Sequence, residues 1–201
     1  MLTIERLVGH TRKELTEEPY FIALLATLRF NRIASYVDIG ANIGEFSNIL
    51  FEQIPTLQDA YLIEPEKDNC DFLQNHIKNK NTLYQVAIGY NFTSGVLVKD
   101  SNNAGGHRLR EMEYADNSFS NVEIKTLEEL ELPIVDFIKI DIEGGEFNVI
   151  ENSSYLQQIR WIDIEFHALI DPNYIKTHFP NYEIMLHAYI CNTSRYFLKK
   201  K

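Results

Sequence analysis

The chain has 201 residues, of which 45% are apolar and 24% charged, enough to bury one sizeable core and too ordered a composition for a chiefly disordered chain. A formal net charge of -10 repels polyanions and disfavours a nucleic-acid substrate. Two cysteines in unrelated contexts, Cys70 and Cys191, give neither a disulfide framework nor metal-ligand spacing, which fits a reducing cytoplasm.

The first 33 residues read as helical. Leu2, Leu7 and Leu15 are spaced for one face, and Phe21, Leu24, Leu25 and Leu28 form a second stripe after Pro19. Met1 to Leu15 carries charges and no apolar signal core, and the longest apolar run, Tyr20 to Leu28, is too short to span a bilayer, so a cytoplasmic protein is expected. The division expected is a helical segment over 1–33 and a cofactor-binding unit over 34–201.

Strands and helices then alternate. Strands are predicted over Ala34–Ile39, Ala60–Ile63, Thr82–Ile88, Val135–Ile140 and Trp161–Phe166. Helices are predicted over Glu45–Gln53, Glu66–Lys78, Glu146–Glu151 and Asn173–His178. Tyr182–His187 and Arg195–Leu198 read as a closing hairpin, and Lys199 to Lys201 as a solvated basic tail. Short apolar strands between helices predict a doubly wound α/β domain with a mostly parallel sheet. Val96–Val98 and Val122–Ile124 break the alternation as a β-hairpin insertion around a polar loop. That loop carries His107, Arg108 and Arg110, which offer donors to a substrate.

The first strand runs into Gly40-Ala41-Asn42-Ile43-Gly44. Glycine, and next to it asparagine, tolerates positive φ, and the following helix aims free N–H groups at the turn. The spacing G-x-N-x-G is not the dinucleotide fingerprint. Asp38, just before the turn, would repel a pyrophosphate but suits a cofactor with a sulfonium and an ammonium, namely S-adenosylmethionine (SAM). Glu64, at the end of the second strand and followed by Pro65, is placed to take both hydroxyls of a ribose. The adenine would rest near Gln85 to Ala87.

Lys139, Asp141 and, if extension continues, Glu143 share a face at the end of the fourth strand. Charges in a buried strand are costly unless paired or functional. Two residues can take a proton from an acceptor: Asp141, and His167 at the end of the neighbouring strand, whose ring titrates near neutrality and which Glu165 could orient. Glu146 favours a helix N-terminus. Asp141, Glu143 and His167 could alternatively supply metal ligands, but without a tight ligand-spacing motif the metal-free reading is preferred.

Taken in order, Val37 to Gly44, Ile63-Glu64-Pro65, Val86 to Gly89, Ile124 to Leu127 and the block Asp136 to Glu146 resemble the FkbM family of class I SAM-dependent methyltransferases, with agreement from about residue 34 to 167. The resemblance implies a Rossmann-like, seven-stranded sheet whose last strand is reversed. It also implies methyl transfer from SAM, usually to a hydroxyl of a sugar, lipid or natural product. The residues expected at the cofactor are Asp38, Gly40, Ala41, Asn42, Gly44, Glu64, Pro65, Ala87 and Asp141; those expected at the chemistry are Asp141, His167 and Lys139. The partner expected is a small-molecule or glycan acceptor. Two other readings stand beside this one: methylation of a protein or nucleic-acid nitrogen, and a non-catalytic protein that kept the fold.

Overall fold

The computed structural model describes residues 18–90, 94–98, 108–110, 119–190 and 192–201. Leu2, Leu7, Leu15, His107 and Cys191, named above, lie outside them.

Helix α1 (Pro19–Phe30) opens the described chain, with Pro at its first position, where its missing N–H is not needed. Its stripe buries Phe21, Leu24 and Leu28 together with Tyr20, and leaves Leu25 at the margin. The alternation then follows as β1 (Ser35–Ile39), α2 (Glu45–Gln53), β2 (Asp59–Ile63), α3 (Lys67–His76) and β3 (Asn81–Tyr84). The strands β4 (Ala87–Ile88), β5 (Ser94–Val98), β6 (Arg108–Arg110) and β7 (Phe119–Lys125) come next. The chain ends with β8 (Phe137–Ile140), α4 (Glu146–Asn152), β9 (Trp161–Phe166), α5 (Pro172–His178), β10 (Tyr182–Ile190) and β11 (Thr193–Lys200).

Seven strands form the main sheet in the order β10-β11-β9-β8-β1-β2-β3. The pairs β8–β1, β1–β2, β2–β3 and β8–β9 are parallel, and β11 is antiparallel to both its neighbours. The expected architecture is therefore present, with the reversed last strand inserted between β9 and β10. The chain winds outward from β1 to β3, then returns to place β8 on the other side of β1. In such sheets the crevice outside the carboxyl ends of the strands, at this reversal, is where ligands bind. The residues leaving β1 and β8 there are Gly40 and Asp141.

Alternation along each strand sorts side chains to two covered faces. Tyr36, Leu62, Phe137, Trp161 and Phe197 pack under α1, α2 and α3 with Phe21, Phe46, Ile49 and Leu73. Val37, Ile39, Ile138, Ile140, Ile162 and Ile164 pack under α4 and α5 with Val149, Ile150 and Ile175. The first face also carries charge: Asp38 registers with Lys139, and Lys139 with Asp163. All three are buried.

Several expected boundaries shift for local reasons. The predicted strand Thr82–Ile88 is two strands. Tyr84 ends the main sheet, its carbonyl accepting from the Glu64 N–H, while Ala87 and Ile88 pair with Ile124 and Lys125 of β7. The insertion is thus a four-stranded sheet, β4-β7-β5-β6, rather than a lone hairpin. Val135 and Asp136 precede β8 instead of belonging to it, because Asp136 turns its carboxylate onto the Ala34 and Ser35 N–H groups (2.7 and 3.2 Å). Strand β8 stops at Ile140, and Glu143 (φ 56°) and Gly144 (φ 107°) turn the chain, so Glu143 is not on an extended strand. The final lysines are not a free tail: Lys199 and Lys200 are in β11, and the Lys199 ammonium lies 5.6 Å from the Trp161 ring centroid.

Candidate functional site

The glycine turn is a close-approach device. Gly40 and Gly44 both sit at φ 80°, and Asn42 at 49°. A Cβ on Gly40 would fall 1.8 Å from the Asp141 carbonyl oxygen, so the absence of a side chain lets β1 and β8 leave the sheet side by side. A Cβ on Gly44 would meet Leu73 and Ile77 at 2.7 and 2.8 Å. The Gly40 and Ala41 N–H groups donate to the Ile63 carbonyl. No side chain caps the α2 N-terminus that follows.

Glu64 ties this turn to β2. Its Oε2 accepts from the Asn42 N–H (2.8 Å), and its Oε1 from the Glu66 N–H (3.0 Å) and Asn69 Nδ2 (3.2 Å). A carboxylate offers about four acceptor positions, so one remains. Burial pushes its carboxyl up, against these three donors. Pro65 follows it toward α3. The Asn42 side-chain Oδ1 is buried and has no hydrogen-bond partner among the described residues. Ala87 lies in the small second sheet; Gln85 and Val86 are the residues that leave the carboxyl end of β3.

Asp38, expected at the cofactor, lies beneath the glycine turn. It is fully buried, accepts from Ser47 Oγ at 2.7 Å, and has Lys139 Nζ 3.3 Å from its other oxygen. Its carboxyl is raised by burial, with Lys139 and Ser47 opposing. Lys139 Nζ also donates to the Gly40 carbonyl (3.1 Å) and lies 3.4 Å from Asp141 Oδ2. Burial works against this ammonium, but Asp38 and Asp141 outweigh it and hold the lysine above its ordinary value. Lys139 is thus held as a cation that ties the turn to the end of β8.

The structure brings together Asp141, Glu143 and His167, each partly exposed. His167 Nε2 lies 3.1 Å from Glu143 Oε2 and 3.9 Å from Asp141 Oδ1, and Nδ1 lies 3.0 Å from Glu146 Oε1. Burial alone would lower the imidazole, but hydrogen bonds to Glu143 and Glu146, with Asp141 behind them, raise it to about 10. The three carboxylates around the ring thus favour its protonated form. Asp141 is held below the usual carboxylate range, since Lys139, His167 and Arg195 outweigh its burial.

The orienting residue also differs. Glu165 pairs with Arg195 (3.4 Å) and its carboxyl is pushed up to about 7 by burial and by Asp141. Glu146 holds the His167 ring instead, while its Oε1 accepts from the Ile142 and Gly144 N–H groups. Sequence reasoning gave Glu146 only a place in the first turn of α4. Arg195, which also forks onto Asp163 (Nη2 to Oδ2, 2.6 Å), was not singled out; an arginine directly before the apolar Tyr196-Phe197-Leu198 was its signal.

A model of the FkbM methyltransferase domain matches residues 38–191. The chain belongs to the FkbM methyltransferase family. The hexuronic acid methyltransferase AglP of Haloferax volcanii is 25% identical over 143 residues, covering 67% of this chain and 56% of AglP. The chain thus spans little more than half the length of that curated relative. A crystal structure of an FkbM methyltransferase from Methylobacillus flagellatus KT superposes with a TM-score of 0.58 at 20% identity, over 96% of this chain and 56% of that one. M. capricolum TrmK, solved with S-adenosyl-homocysteine, gives 0.52 at 11% identity, over 92% of this chain and 69% of that one. These likenesses show the class I methyltransferase fold. Among the described residues no helix is long and apolar enough to cross a membrane.

The turn fits the family's cofactor by its chemistry. Lys139, the cation beside it among the described residues, is already engaged by Asp38, Asp141 and the Gly40 carbonyl, which disfavours a pyrophosphate. Two free acceptors, Asn42 Oδ1 and one position on Glu64, suit hydroxyls and an ammonium.

Proposed function

We propose that this chain methylates a hydroxyl of a sugar, glycan or other small metabolite, at the crevice between the ends of β1 and β8. The observation that carries the reading is the convergence of Asp141, Glu143 and His167 beside the glycine turn. AglP, named for methylation of a hexuronic acid, supports the sugar class. SAM, when bound, supplies an electrophilic methyl group on a sulfonium.

The chain's own residues divide the work. Asn42 and Glu64 hold the cofactor's hydroxyl-bearing part, Glu64 exchanging an internal donor for a ribose hydroxyl. Gly40, Ala41 and Gly44 let the backbone come close to it. Asp38 acts at one remove, by fixing Lys139. Asp141 and Glu143 accept the acceptor's hydroxyl hydrogen and hold its oxygen in line, so that most of the rate comes from positioning. Asp141 is already ionised at neutral pH and takes the proton as the oxygen is alkylated. With no ion bound, the His167 ring is held charged between these groups and fixes the orientation of both carboxylates. Incubation with methyl-labelled SAM and a panel of neutral sugars, uronic acids and sugar-bearing lipids tests the reading. Label on a sugar oxygen supports it; label only on amines of protein or RNA would overturn it.

A further inference from the structure

We propose that Asp141, Glu143 and His167 form a binding site for one divalent first-row cation, of which Mn2+ is the representative. This deepens the methyl-transfer reading above, since the ion would lie beside the acceptor oxygen. It reverses the metal-free preference drawn from the sequence, where no ligand-spacing motif was visible.

The geometry is that of ligands around a common centre. Two ligand atoms each about 2.1 Å from one ion stand roughly 3.0–3.4 Å apart at angles between a right angle and tetrahedral. The Nε2–Glu143 separation of 3.1 Å meets this directly. The Nε2–Asp141 separation of 3.9 Å needs about half an ångström of closure, which lies within the reach of a partly exposed carboxylate. All three candidate ligand atoms lie within 4.8 Å of one another.

A second, independent feature is the carboxylate behind the ring. Metal-bound histidines almost always donate their other N–H to a carboxylate or carbonyl, which fixes the ring and makes it a better ligand. Glu146 is fully buried and takes His167 Nδ1 at 3.0 Å, leaving Nε2 directed at the two open carboxylates. Its second oxygen, Oε2, is buried without a hydrogen-bond partner among the described residues, so the carboxylate is committed to this ring at a desolvation cost.

Charge agrees. Among the described residues the carboxylates of Asp38, Asp141, Glu143 and Glu146 are ion-paired only with Lys139 and His167, Arg195 being engaged by Asp163 and Glu165. Once the ring gives up its Nε2 proton to coordinate, three negative charges are in excess, and a divalent ion reduces them to one. Two carboxylates and one imidazole suit Mn2+, which accepts both ligand types, better than an oxygen-only ion such as Ca2+. Three protein ligands leave positions open, and an ion so placed would polarise an acceptor hydroxyl.

Metal-stripped full-length chain is titrated with Mn2+ without SAM or acceptor, and free ion is counted by electron paramagnetic resonance. One ion per chain is expected, with nitrogen modulation from one imidazole in the spin-echo spectrum. Glu143→Gln and His167→Gln should weaken binding at least tenfold, and the modulation should vanish in His167→Gln. Glu146→Gln should weaken it roughly 10–100-fold, as outer partners of metal ligands do. Glu151→Gln, at a carboxylate held by Tyr174, should bind as wild type. Thermal melts of each variant exclude unfolding as the cause. No stoichiometric binding, binding without nitrogen modulation, or binding unaffected by Glu143→Gln and His167→Gln would overturn the site. Because the titration needs no acceptor, its outcome is separate from that of the methyl-transfer reading.

Discussion

Replacing Gly40 by alanine is the sharpest perturbation the structure offers. The new Cβ would lie 1.8 Å from the Asp141 carbonyl oxygen and 3.0 Å from its carbon, both backbone atoms that cannot rotate away. Ordinary contact requires the end of β8 to move by more than 1 Å. The residue must also hold φ near 80°, which costs a side-chain-bearing residue about 1–2 kcal/mol. Overpacking adds about 1–3 kcal/mol, for a total of about 2–5 kcal/mol. In a chain of this size a loss near 3 kcal/mol lowers Tm by roughly 6–12 °C. Urea unfolding followed by circular dichroism measures the loss. Because Asp141 is carried on the displaced segment, methyl transfer should fall about 100-fold even below the melting range. Gly144→Ala is the matched control: its φ is 107°, but nothing lies within 4 Å of the added carbon, so it should cost about 1–2 kcal/mol from backbone strain alone. Equal losses in the two variants, or wild-type stability in Gly40→Ala, would refute the close-approach argument.

Asp38→Asn should lower stability by about 3 kcal/mol, because it strips a buried partner from Lys139, yet leave SAM affinity within about twofold by calorimetry. A large loss of affinity in the folded variant would restore Asp38 as a cofactor contact. Glu64→Gln should weaken SAM binding about tenfold or more, the worth of a hydrogen bond to a charged acceptor, with little change in acceptor KM. The metal-free chain should lose stability as pH rises from about 6.5 toward 10. Folded His167 titrates at about 10 against about 6.5 in the unfolded chain, so its contribution is complete below the lower value and lost through the upper. Denaturation midpoints across that range should show a slope that His167→Gln flattens.

The parts of this fold set by local pattern were legible in the sequence. β1, its glycine turn and α2 are consecutive, and each is marked by its own residues: an apolar run, positive-φ residues, then Glu45 in the first helical turn. The hairpin of β10 and β11 was visible because β10 alternates between covered and exposed residues and the apolar run Tyr196 to Leu198 follows it after a short polar turn. What stayed hidden depends on residues far apart in the chain. Glu146 and His167 are 21 residues apart, and Arg195 meets Asp163 across 32. Nothing in the spacing says that Glu165 turns to Arg195 while Glu146 reaches His167. His167 read as a near-neutral base because the reference value was the only guide; three carboxylates converging on one ring is a tertiary fact. The break between β3 and β4 was invisible for a similar reason. Thr82 to Ile88 reads as one continuous strand-like run, and only the partners of its two pieces, β2 and β7, separate them.

The passage of SAM's methyl to a hydroxyl held by Asp141, between the ends of β1 and β8, has a direct test. Wild-type and Asp141→Asn chains are given CD3-labelled SAM with the acceptor that the labelling panel identifies. Cofactor binding is followed by calorimetry and product by mass spectrometry. Wild type should place the CD3 group on an acceptor oxygen, and Asp141→Asn should bind SAM within a few-fold of wild type while transfer falls at least 100-fold. Undiminished transfer by Asp141→Asn, or no SAM binding by the wild-type chain, would contradict the account.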